Sequence, residues 1–344
     1  MIRCLYRSFG EETFHDLPPD QLADCLARRD GTVWLDVAHV SDNSAEMSQL
    51  LRKLFSFHPL ALDDAFQETH VPRVDDWGEY LYVVLHAAEL AKDGSLVLQE
   101  IDLFLGKNYL VSVHENPTAP LEHLWDRCRR QPSSSDHPGR LLYALADAVA
   151  DDYMHVVEAL DDEIDRVELD VFHRPRGQLV RRIFHTRRTL SQLRRVFSSL
   201  REVMNRLARD KFAVLAEDER VYFRDVYDHL VRLYDIVEGL RDMAAGALDS
   251  YLSVTSNRIN EVMRTLTVVN VLFMPLSFLA GFFGMNFFGD AFNVGNPFPS
   301  VALFCLCLAL MAVTPLALLW WMIHRGMLRS VVDKVPDEKR SGRS

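Results

Sequence analysis

Residues 265–285 read TLTVVNVLFMPLSFLAGFFGM, and residues 301–323 read VALFCLCLALMAVTPLALLWWMI. These two runs decide the fold, because neither contains Asp, Glu, Lys, Arg or His. They are 21 and 23 residues long, and a helix needs about 20 residues to cross a bilayer. The chain is therefore predicted to be a membrane protein with two C-terminal transmembrane helices and a large water-soluble part before them.

Basic residues around the two runs set the predicted orientation in the membrane. Two of them precede the first run and six follow the second, with no Lys or Arg between: Arg258 and Arg264, then Arg325, Arg329, Lys334, Lys339, Arg340 and Arg343. By the positive-inside rule, both termini are expected in the cytoplasm and the connecting loop outside. The N-terminus lacks the pattern of a signal peptide, so the expected location is the cell (inner) membrane, multi-pass. Two spans cannot enclose an ion pathway, so any conduction requires an oligomer.

Charge and motif content argue against several other classes of protein. The formal net charge of −11 disfavours nucleic-acid binding. The five cysteines are scattered, so neither a disulfide framework nor a Cys-ligated zinc site is expected. No P-loop, nucleophile elbow or HExxH motif occurs, so the chain is not expected to be an enzyme or to hold a cofactor. A membrane-anchored enzyme or receptor remains the alternative from another class, and it would need a polar pocket in residues 1–140.

The water-soluble part changes character near residue 139. Before this point, β-rich apolar runs alternate with helical patterns. The apolar runs are Ile2–Phe9, Thr32–Val37, Tyr80–Ala87, Ile101–Leu105 and Tyr109–Val113. The helical patterns are Pro19–Arg29 and Ala45–Phe55. Lys107-Asn108 is predicted to be a hairpin turn. After it, three helices are expected, ending near Phe172, ending near Arg209, and starting near Glu217. The third continues into the first apolar run as a stalk about 75 Å long.

These observations divide the chain into seven predicted segments. They are a cytoplasmic α/β domain (1–139), a cytoplasmic helical hairpin (140–216), a stalk helix (217–264), a first, pore-lining transmembrane helix (265–285), an external loop (286–300), a second transmembrane helix (301–323) and a cytoplasmic basic tail (324–344).

One face of the stalk and first span carries a stripe of mixed chemistry. Its members recur every three or four residues: Asp249, Leu252, Ser256, Asn260, Met263, Thr267, Asn270, Met274, Ser277 and Gly281. A coiled-coil seam would carry Leu, Ile or Val at such positions. The stripe fits either a helix that packs on small and polar residues within the membrane or a symmetric bundle around a narrow water-filled pore. Asn270 favours the pore, because a polar side chain facing lipid is costly.

Several segments together resemble the CorA family of divalent-cation channels over nearly the whole chain. They are Phe57–Asp64, Leu141–Tyr153, Tyr222–His229, Ser256–Met263, Met274–Gly281 and the tripeptide Gly284-Met285-Asn286. The resemblance implies an α+β membrane protein: a funnel-shaped homopentamer with a cytoplasmic α/β domain, a long helical stalk and a pore formed by five copies of the first span. Similar proteins pass Mg²⁺, often with Co²⁺ or Ni²⁺. The expected partners are therefore other copies of the chain, the lipid bilayer and divalent cations.

The resemblance also implies roles for individual residues. Five Asn286 amides, with Gly284 and Met285, would form a mouth that accepts a hydrated ion without holding it tightly. Asn260, Asn270, Ser277 and Gly281 would line the path, and Met274 would be an apolar constriction. A helix C-cap is the plainer interpretation of Gly284 and Asn286, and both can hold.

Regulation by cytoplasmic Mg²⁺ is a second implication. In this family Mg²⁺ binds carboxylates between neighbouring subunits and holds the gate shut. The matching positions are Asp64 and Asp225, with Asp63 and Asp147 at a second site. The alternative for these carboxylates is an ordinary solvated acidic face, since the chain has 49 acidic residues.

The chain departs from the family pattern in two places. After Asn286 the external loop carries a single charge, Asp290, where similar channels carry an acidic loop. The basic residues after the second span are also more widely spaced, with Arg325 and Arg329 in place of an unbroken run of Lys. The alternative function is a Zn²⁺ or other transition-metal transporter of the same superfamily, with or without proton coupling. The stripe contains no His or Cys, the ligands such metals favour, which argues against dedicated zinc handling.

Overall fold

The computed structural model describes residues 2–9, 11, 14–18, 21–38, 44–67, 70–130, 137–173, 177–284 and 297–324. The chain divides into two units, Met1–Leu252 and Ser253–Ser344, which we call the N-terminal unit and the C-terminal unit. The secondary structure is α+β, as expected from the sequence.

Seven strands within the described residues form one sheet in the N-terminal unit. They are β1 (Ile2–Ser8), β2 (His15–Asp16), β3 (Gly31–Ala38), β4 (Arg73–Asp76), β5 (Leu81–Leu90), β6 (Leu96–Leu105) and β7 (Tyr109–His114). Their order is β2-β1-β3-β7-β6-β5-β4. β3 and β7 run parallel, and the other neighbouring pairs are antiparallel.

The described residues also form eight helices. They are α1 (Leu22–Arg28), α2 (Ser44–Phe55), α3 (Pro59–Gln67), α4 (Ala119–Arg130), α5 (Pro138–His173), α6 (Gly177–Arg209), α7 (Arg220–Gly284) and α8 (Pro297–His324). α7 contributes residues to both units. The seven-segment division stays a prediction, although α5, α6 and α7 begin and end close to the helix limits expected from sequence.

Alternation along the strands builds two cores, one on each side of the sheet. In β5, Leu81, Val83 and Leu85 pack with apolar residues of α4 to α7. Their neighbours Tyr82 and Val84 point the other way and pack with apolar residues of α1 to α3. Because side chains of a strand alternate between faces, a strand covered on both sides carries apolar residues on both, as the buried stretch Leu81–Leu85 of β5 does. The unit is therefore a three-layer arrangement of helices, sheet and helices.

A buried carboxylate joins the central strands to the outer layer. Asp36 of β3 accepts hydrogen bonds from Ser112 Oγ (2.5 Å) and Arg3 Nε (2.8 Å), and its carboxylate lies 3.2 Å from His114 Nε2. Burial alone would raise the pKa of Asp36, but His114, Ser112 and Arg3 together lower it below its usual range. Arg3 also bonds both carboxylate oxygens of Glu122 on α4, so one chain of polar contacts ties β1, β3, β7 and α4.

The predicted β-rich runs are confirmed as strands, and Lys107-Asn108 is confirmed as the turn between β6 and β7, closed by the Gly106 N–H···O Tyr109 hydrogen bond. The predicted helices in residues 19–29 and 45–55 are confirmed as α1 and α2, with limits shifted by up to three residues. The sequence reading missed α3, α4 and β4. α3 and β4 are short, with few buried positions to establish a period, whereas α4 does bury residues at helical spacing (Leu121, Leu124, Trp125 and Cys128) and was overlooked.

One described helix is long and apolar enough to cross a membrane by length and composition, and it ends at Phe282 of α7. The shorter apolar stretch Leu308–Met322 lies in α8. Pro275 and Pro315 fall inside these helices, at positions that lack the backbone N–H of a regular helical turn.

We expect Asp36→Ala to lower the free energy of unfolding by about 3–5 kcal/mol at pH 7, because Arg3, Ser112 and His114 lose their buried acceptor. The loss should shrink as the pH falls through the lowered pKa of Asp36, below the ordinary value of 3.8, where the wild-type carboxylate also becomes neutral. Denaturant unfolding of the detergent-solubilised protein measures both effects. The control, Asp126→Ala, breaks an exposed pair with Arg130 and should cost less than about 1 kcal/mol. Equal losses in the two variants would contradict the role given to Asp36.

Candidate functional site

The residues predicted to bind or conduct ions fall in three separate places. Asp63 and Asp64 lie on α3, while Asp147 and Asp225 lie on α5 and α7. The pore candidates from Asn260 to Gly284 lie on the part of α7 that belongs to the C-terminal unit. Met285 and Asn286, which the sequence singles out as the mouth, lie outside the described residues.

Asp64 is already paired with a cation of its own chain. Its carboxylate forms an ion pair with the guanidinium of Arg73 on β4, and His70 Nε2 lies 3.7 Å away. Arg73 also contacts Asp75 at 3.1 Å and lies over the Tyr82 ring. Asp63, next to Asp64 on α3, is exposed. A metal ion that bound Asp64 would therefore compete with a guanidinium.

A strip of buried polar groups lies beside Asp64, and the sequence did not indicate it. Glu100 accepts a hydrogen bond from the backbone N–H of His70 at 2.8 Å, and His86 Nε2 is 3.9 Å from the Glu100 carboxylate. Tyr82 donates to Asp102 at 2.5 Å. Burial and the nearby charge of Glu100 raise the pKa of Asp102 well above its usual range, against the effect of the Tyr82 hydrogen bond.

The strip arises from strand register, which explains why the sequence gave no signal for it. His86 on β5 pairs directly with Glu100 on β6, and Val84 pairs with Asp102. His70 and His86 lie in different segments of the sequence, and no local spacing links them. Their shared neighbour Glu100 becomes apparent only when the β5–β6 hairpin is aligned.

Asp147 and Asp225 lie close enough to affect each other within one chain. Burial raises the pKa of Asp147, and the charges of Asp151 and Asp225 raise it further, against a smaller opposing effect of His229 and Arg127. Asp147 is half-buried, whereas Asp225 is exposed. The negative charges of Asp151 on α5 and Asp225 on α7 therefore both act on Asp147 within the single chain.

Asp64 and Asp225 make their contacts with different groups in the single chain. Asp64 contacts Arg73 and His70, while Asp225 interacts with Asp147 and Tyr143. Among the described residues, no group of three or more His, Cys, Asp or Glu side chains is placed to hold a metal ion. The pairing of Asp64 with Asp225 across a subunit boundary stays a prediction.

The stripe of pore candidates is uncovered by the rest of the chain. Its members from residue 260 onward are exposed: Asn260, Met263, Thr267, Asn270, Met274, Ser277 and Gly281, with Met274 at 76%. The partly buried positions from residue 260 onward are Glu261, Val268, Leu272, Pro275, Leu276 and Leu279. At about 100° per residue the two sets lie on roughly opposite sides of the helix.

A local hydrogen bond satisfies one of the hydroxyl groups on the stripe of pore candidates. The Thr267 hydroxyl donates to the carbonyl of Met263 at 2.8 Å, one turn earlier. The described contacts of Asn270 include no such bond. The face therefore combines an available amide at Asn270 with an apolar side chain at Met274, one turn further along. Gly284 ends α7, and its surroundings lie outside what the structure describes.

Comparison with known proteins adds an independent finding. The model of the family "CorA-like Mg2+ transporter protein" matches residues 29–325. A putative metal ion transporter of Bacillus subtilis, YfjQ, is 34% identical over 295 residues, covering 85% of this chain and 89% of that protein. The cobalt/magnesium transport protein CorA of Thermotoga maritima is 34% identical over 285 residues, covering 81% of each.

Two more distant relatives extend the comparison. The zinc transport protein ZntB of Cronobacter sakazakii is 26% identical over 309 residues, covering 88% of this chain and 90% of that protein. The solved structure of the CorA magnesium transporter from Methanocaldococcus jannaschii matches with a TM-score of 0.76 at 19% identity, over 93% of this chain and 96% of that one. At that identity the structural match supports the fold alone.

The carboxylates around Asp147 generate a testable prediction. With EDTA present at pH 7, Asp225→Asn should raise the unfolding temperature by roughly 1–3 °C, because it removes a like charge that opposes ionisation of Asp147. Since the pKa of Asp147 is raised, this gain should disappear below its ordinary pKa of 3.8, where Asp147 is protonated whether folded or not. Thermal unfolding across a pH series tests it.

The matched control is Asp235→Asn, which neutralises another exposed carboxylate of α7 further from Asp147. It should leave the unfolding temperature unchanged. Equal gains in the two variants would show a general charge effect and contradict a local carboxylate cluster.

Proposed function

The chain belongs to the CorA-like Mg²⁺ transporter family, and on that basis we propose that it is a divalent-cation channel that imports Mg²⁺ across the cell membrane. Co²⁺ and Ni²⁺ are proposed as further substrates. The main support for this proposal is the family match over residues 29–325, which includes both apolar runs and the Gly284-Met285-Asn286 tripeptide. Magnesium uptake by a transporter-deficient cell that expresses the chain tests the proposal.

The proposed assembly is a homopentamer in the cell (inner) membrane, with two spans per chain and both termini in the cytoplasm. Among the described helices, α7 and α8 carry the two apolar runs, and two helices cannot enclose an ion pathway. The exposed stripe on α7 supports the assembly, since five such faces turned inward would be covered by one another. The basic residues that flank the spans support the orientation.

The proposed pore has a polar mouth and an apolar constriction. Five Asn286 side chains would offer amide oxygens to Mg²⁺, which gives up its water reluctantly and prefers oxygen ligands. Neutral amides would hold the ion less tightly than carboxylates would, so it could move on. Asn270, Ser277 and the Gly281 carbonyl would form the path beyond, with Met274 as the constriction.

Regulation by cytoplasmic Mg²⁺ is the second part of the proposal. Asp64 of one subunit and Asp225 of its neighbour would bind the ion, giving five sites per pentamer, with Asp63 and Asp147 at a second site. The raised pKa of Asp147 supports this, because carboxylates that repel one another are stabilised by a divalent cation. Loss of the ion would let the subunits separate and open the gate.

Zinc transport, with or without proton coupling, is the competing function, and one observation favours it. The 26% identity to the zinc transport protein ZntB extends over 88% of this chain and 90% of that protein. The proposed pore stripe nevertheless carries amides, hydroxyls and thioethers and no His or Cys. We therefore favour Mg²⁺, a cation that prefers oxygen ligands.

The mouth provides a direct test of the pore. Asn286→Ala should abolish divalent-cation flux while the pentamer still assembles, because the amide ring is proposed to admit ions and not to hold subunits together. Flux into proteoliposomes and the oligomeric state in detergent are the two measurements. Asn296→Ala, which removes an amide from the same predicted loop outside the tripeptide, should conduct normally. Normal flux through Asn286→Ala would contradict the proposal that Asn286 forms the mouth of the pore.

The ion pair at Asp64 provides a test of regulation. Arg73→Gln should increase the apparent Mg²⁺ affinity about fivefold, since an exposed or half-exposed ion pair worth about 1 kcal/mol no longer competes with the metal. The readout is the Mg²⁺ concentration that gives half-maximal protection against limited proteolysis. Arg129→Gln, which breaks an exposed pair with Asp16, is the control and should leave that concentration unchanged. An unchanged value for Arg73→Gln would mean that Asp64 does not bind the regulatory ion.

A further inference from the structure

A cleft in the N-terminal unit is unrelated to the carboxylates described above. It opens where the C-terminal ends of α1 and α2 meet the β6–β7 turn, and its volume is about 680 Å³. Asn108 of that turn donates through its side chain to the carbonyl of Leu26 on α1, and its own carbonyl accepts from Val33 N–H. These bonds fasten the β6–β7 turn to α1 and to β3. A volume of several hundred Å³ is the usual size of a small-ligand site.

The charge of the cleft is opposite to that of the chain. Arg29, Arg52 and Lys107 line it and are exposed, whereas Glu79 is its single acidic residue. In the part of the chain that the structure describes, none of these three cations has a carboxylate partner. The chain as a whole carries a net charge of −11, so three unpaired cations around one cleft stand out. Such a site repels divalent cations and attracts anions.

Aromatic rings form the other part of the lining. The Trp77 ring stacks on the His58 imidazole with centroids 4.6 Å apart and an angle of 22° between planes. Trp77 keeps 36% of its surface exposed. On the side of the β6–β7 turn, Phe55 and Tyr109 pack with centroids 4.7 Å apart. Flat rings beside unpaired cations suit a ligand that has a planar ring and a negatively charged group.

The backbone is unusual at two positions of the same cleft. Arg29 (φ 53°) and Ser56 (φ 58°) adopt the left-handed conformation, and they are the only described residues other than glycine that do. Each follows the last turn of a helix, where glycine would fit with less strain. Arg29 instead keeps a cationic side chain at the cleft. Residues held in such conformations are often found at ligand sites.

We propose that this cleft binds a nucleotide, with its phosphates near Arg29, Arg52 and Lys107 and its base against Trp77. Guanidinium groups recognise phosphate oxygens through charge-assisted hydrogen bonds. The exposed face of an indole ring can stack with a purine, as aromatic side chains do with bases elsewhere. The proposal concerns a ligand of the N-terminal unit and does not depend on the proposed transport activity.

The test uses the full-length protein in detergent with EDTA, so that sites for divalent cations stay empty. Calorimetric titration with ATP, pyrophosphate and adenosine separates the contribution of phosphate from that of the ring. We expect ATP to bind, pyrophosphate to bind at least about tenfold more weakly, and adenosine to give no measurable binding. No binding of ATP up to millimolar concentration would overturn the proposal, and so would pyrophosphate binding as tight as that of ATP.

Two charge reversals on neighbouring residues of α2 locate the site. Arg52→Glu places a negative charge in the cleft and should weaken ATP binding at least about tenfold. Lys53→Glu changes the net charge equally at an exposed position that does not line the cleft, and it should bind ATP as the wild type does. Trp77→Ala should weaken ATP binding but leave pyrophosphate binding unchanged. Equal losses in Arg52→Glu and Lys53→Glu would place the nucleotide elsewhere and overturn the proposal.

Discussion

The continuity of α7 is the constraint on which the rest of the structure depends. α7 is one helix from Arg220 to Gly284, so it carries both Asp225 and the stripe that includes Asn270. Its first half buries Phe223, Val226 and Leu230 in the core of the N-terminal unit. Its second half buries almost nothing and exposes Met274. A helix this long gains little from propensity alone, because most helical stability in proteins comes from packing of one face. The uncovered half therefore requires partners, and the proposed partners are lipid and four other copies of the chain.

Three aspartates that look alike in the sequence differ in their electrostatic surroundings. Asp36 is buried and fully bonded, and its lowered pKa marks a carboxylate that holds the fold. Asp147 is half-buried among like charges, and its raised pKa marks a carboxylate that a cation would stabilise. Asp64 lies between these cases, because Arg73 already neutralises it. The proposed regulation uses the second and third kinds, and it predicts competition between Mg²⁺ and a guanidinium.

The sequence predicts the family, and it predicts those helices and strands that have a clear hydrophobic period. It predicts the contacts of the site less well. The apolar runs, the strands on either side of Lys107-Asn108 and the three long helices follow from spacing, because each extends over enough residues to establish a period. The parallel pairing of β3 with β7 does not, since it joins residues some 75 positions apart, such as Asp36 and Ser112. The contacts of Asp64 with Arg73 and of His86 with Glu100 were not predicted either, because each joins residues on two different elements. Chemistry at a site depends on such pairings, and no local pattern records them.

The comparison of four metal ions in proteoliposomes tests the central claim most directly. Purified full-length protein would be reconstituted, and influx of Mg²⁺, Co²⁺, Ni²⁺ and Zn²⁺ would be measured side by side, with and without a proton gradient. The account predicts Mg²⁺ influx that falls when Mg²⁺ is also present on the side of the N-terminal unit, with Co²⁺ and Ni²⁺ conducted as well. Zn²⁺ influx that needs a proton gradient, with no Mg²⁺ influx under any condition, would contradict it.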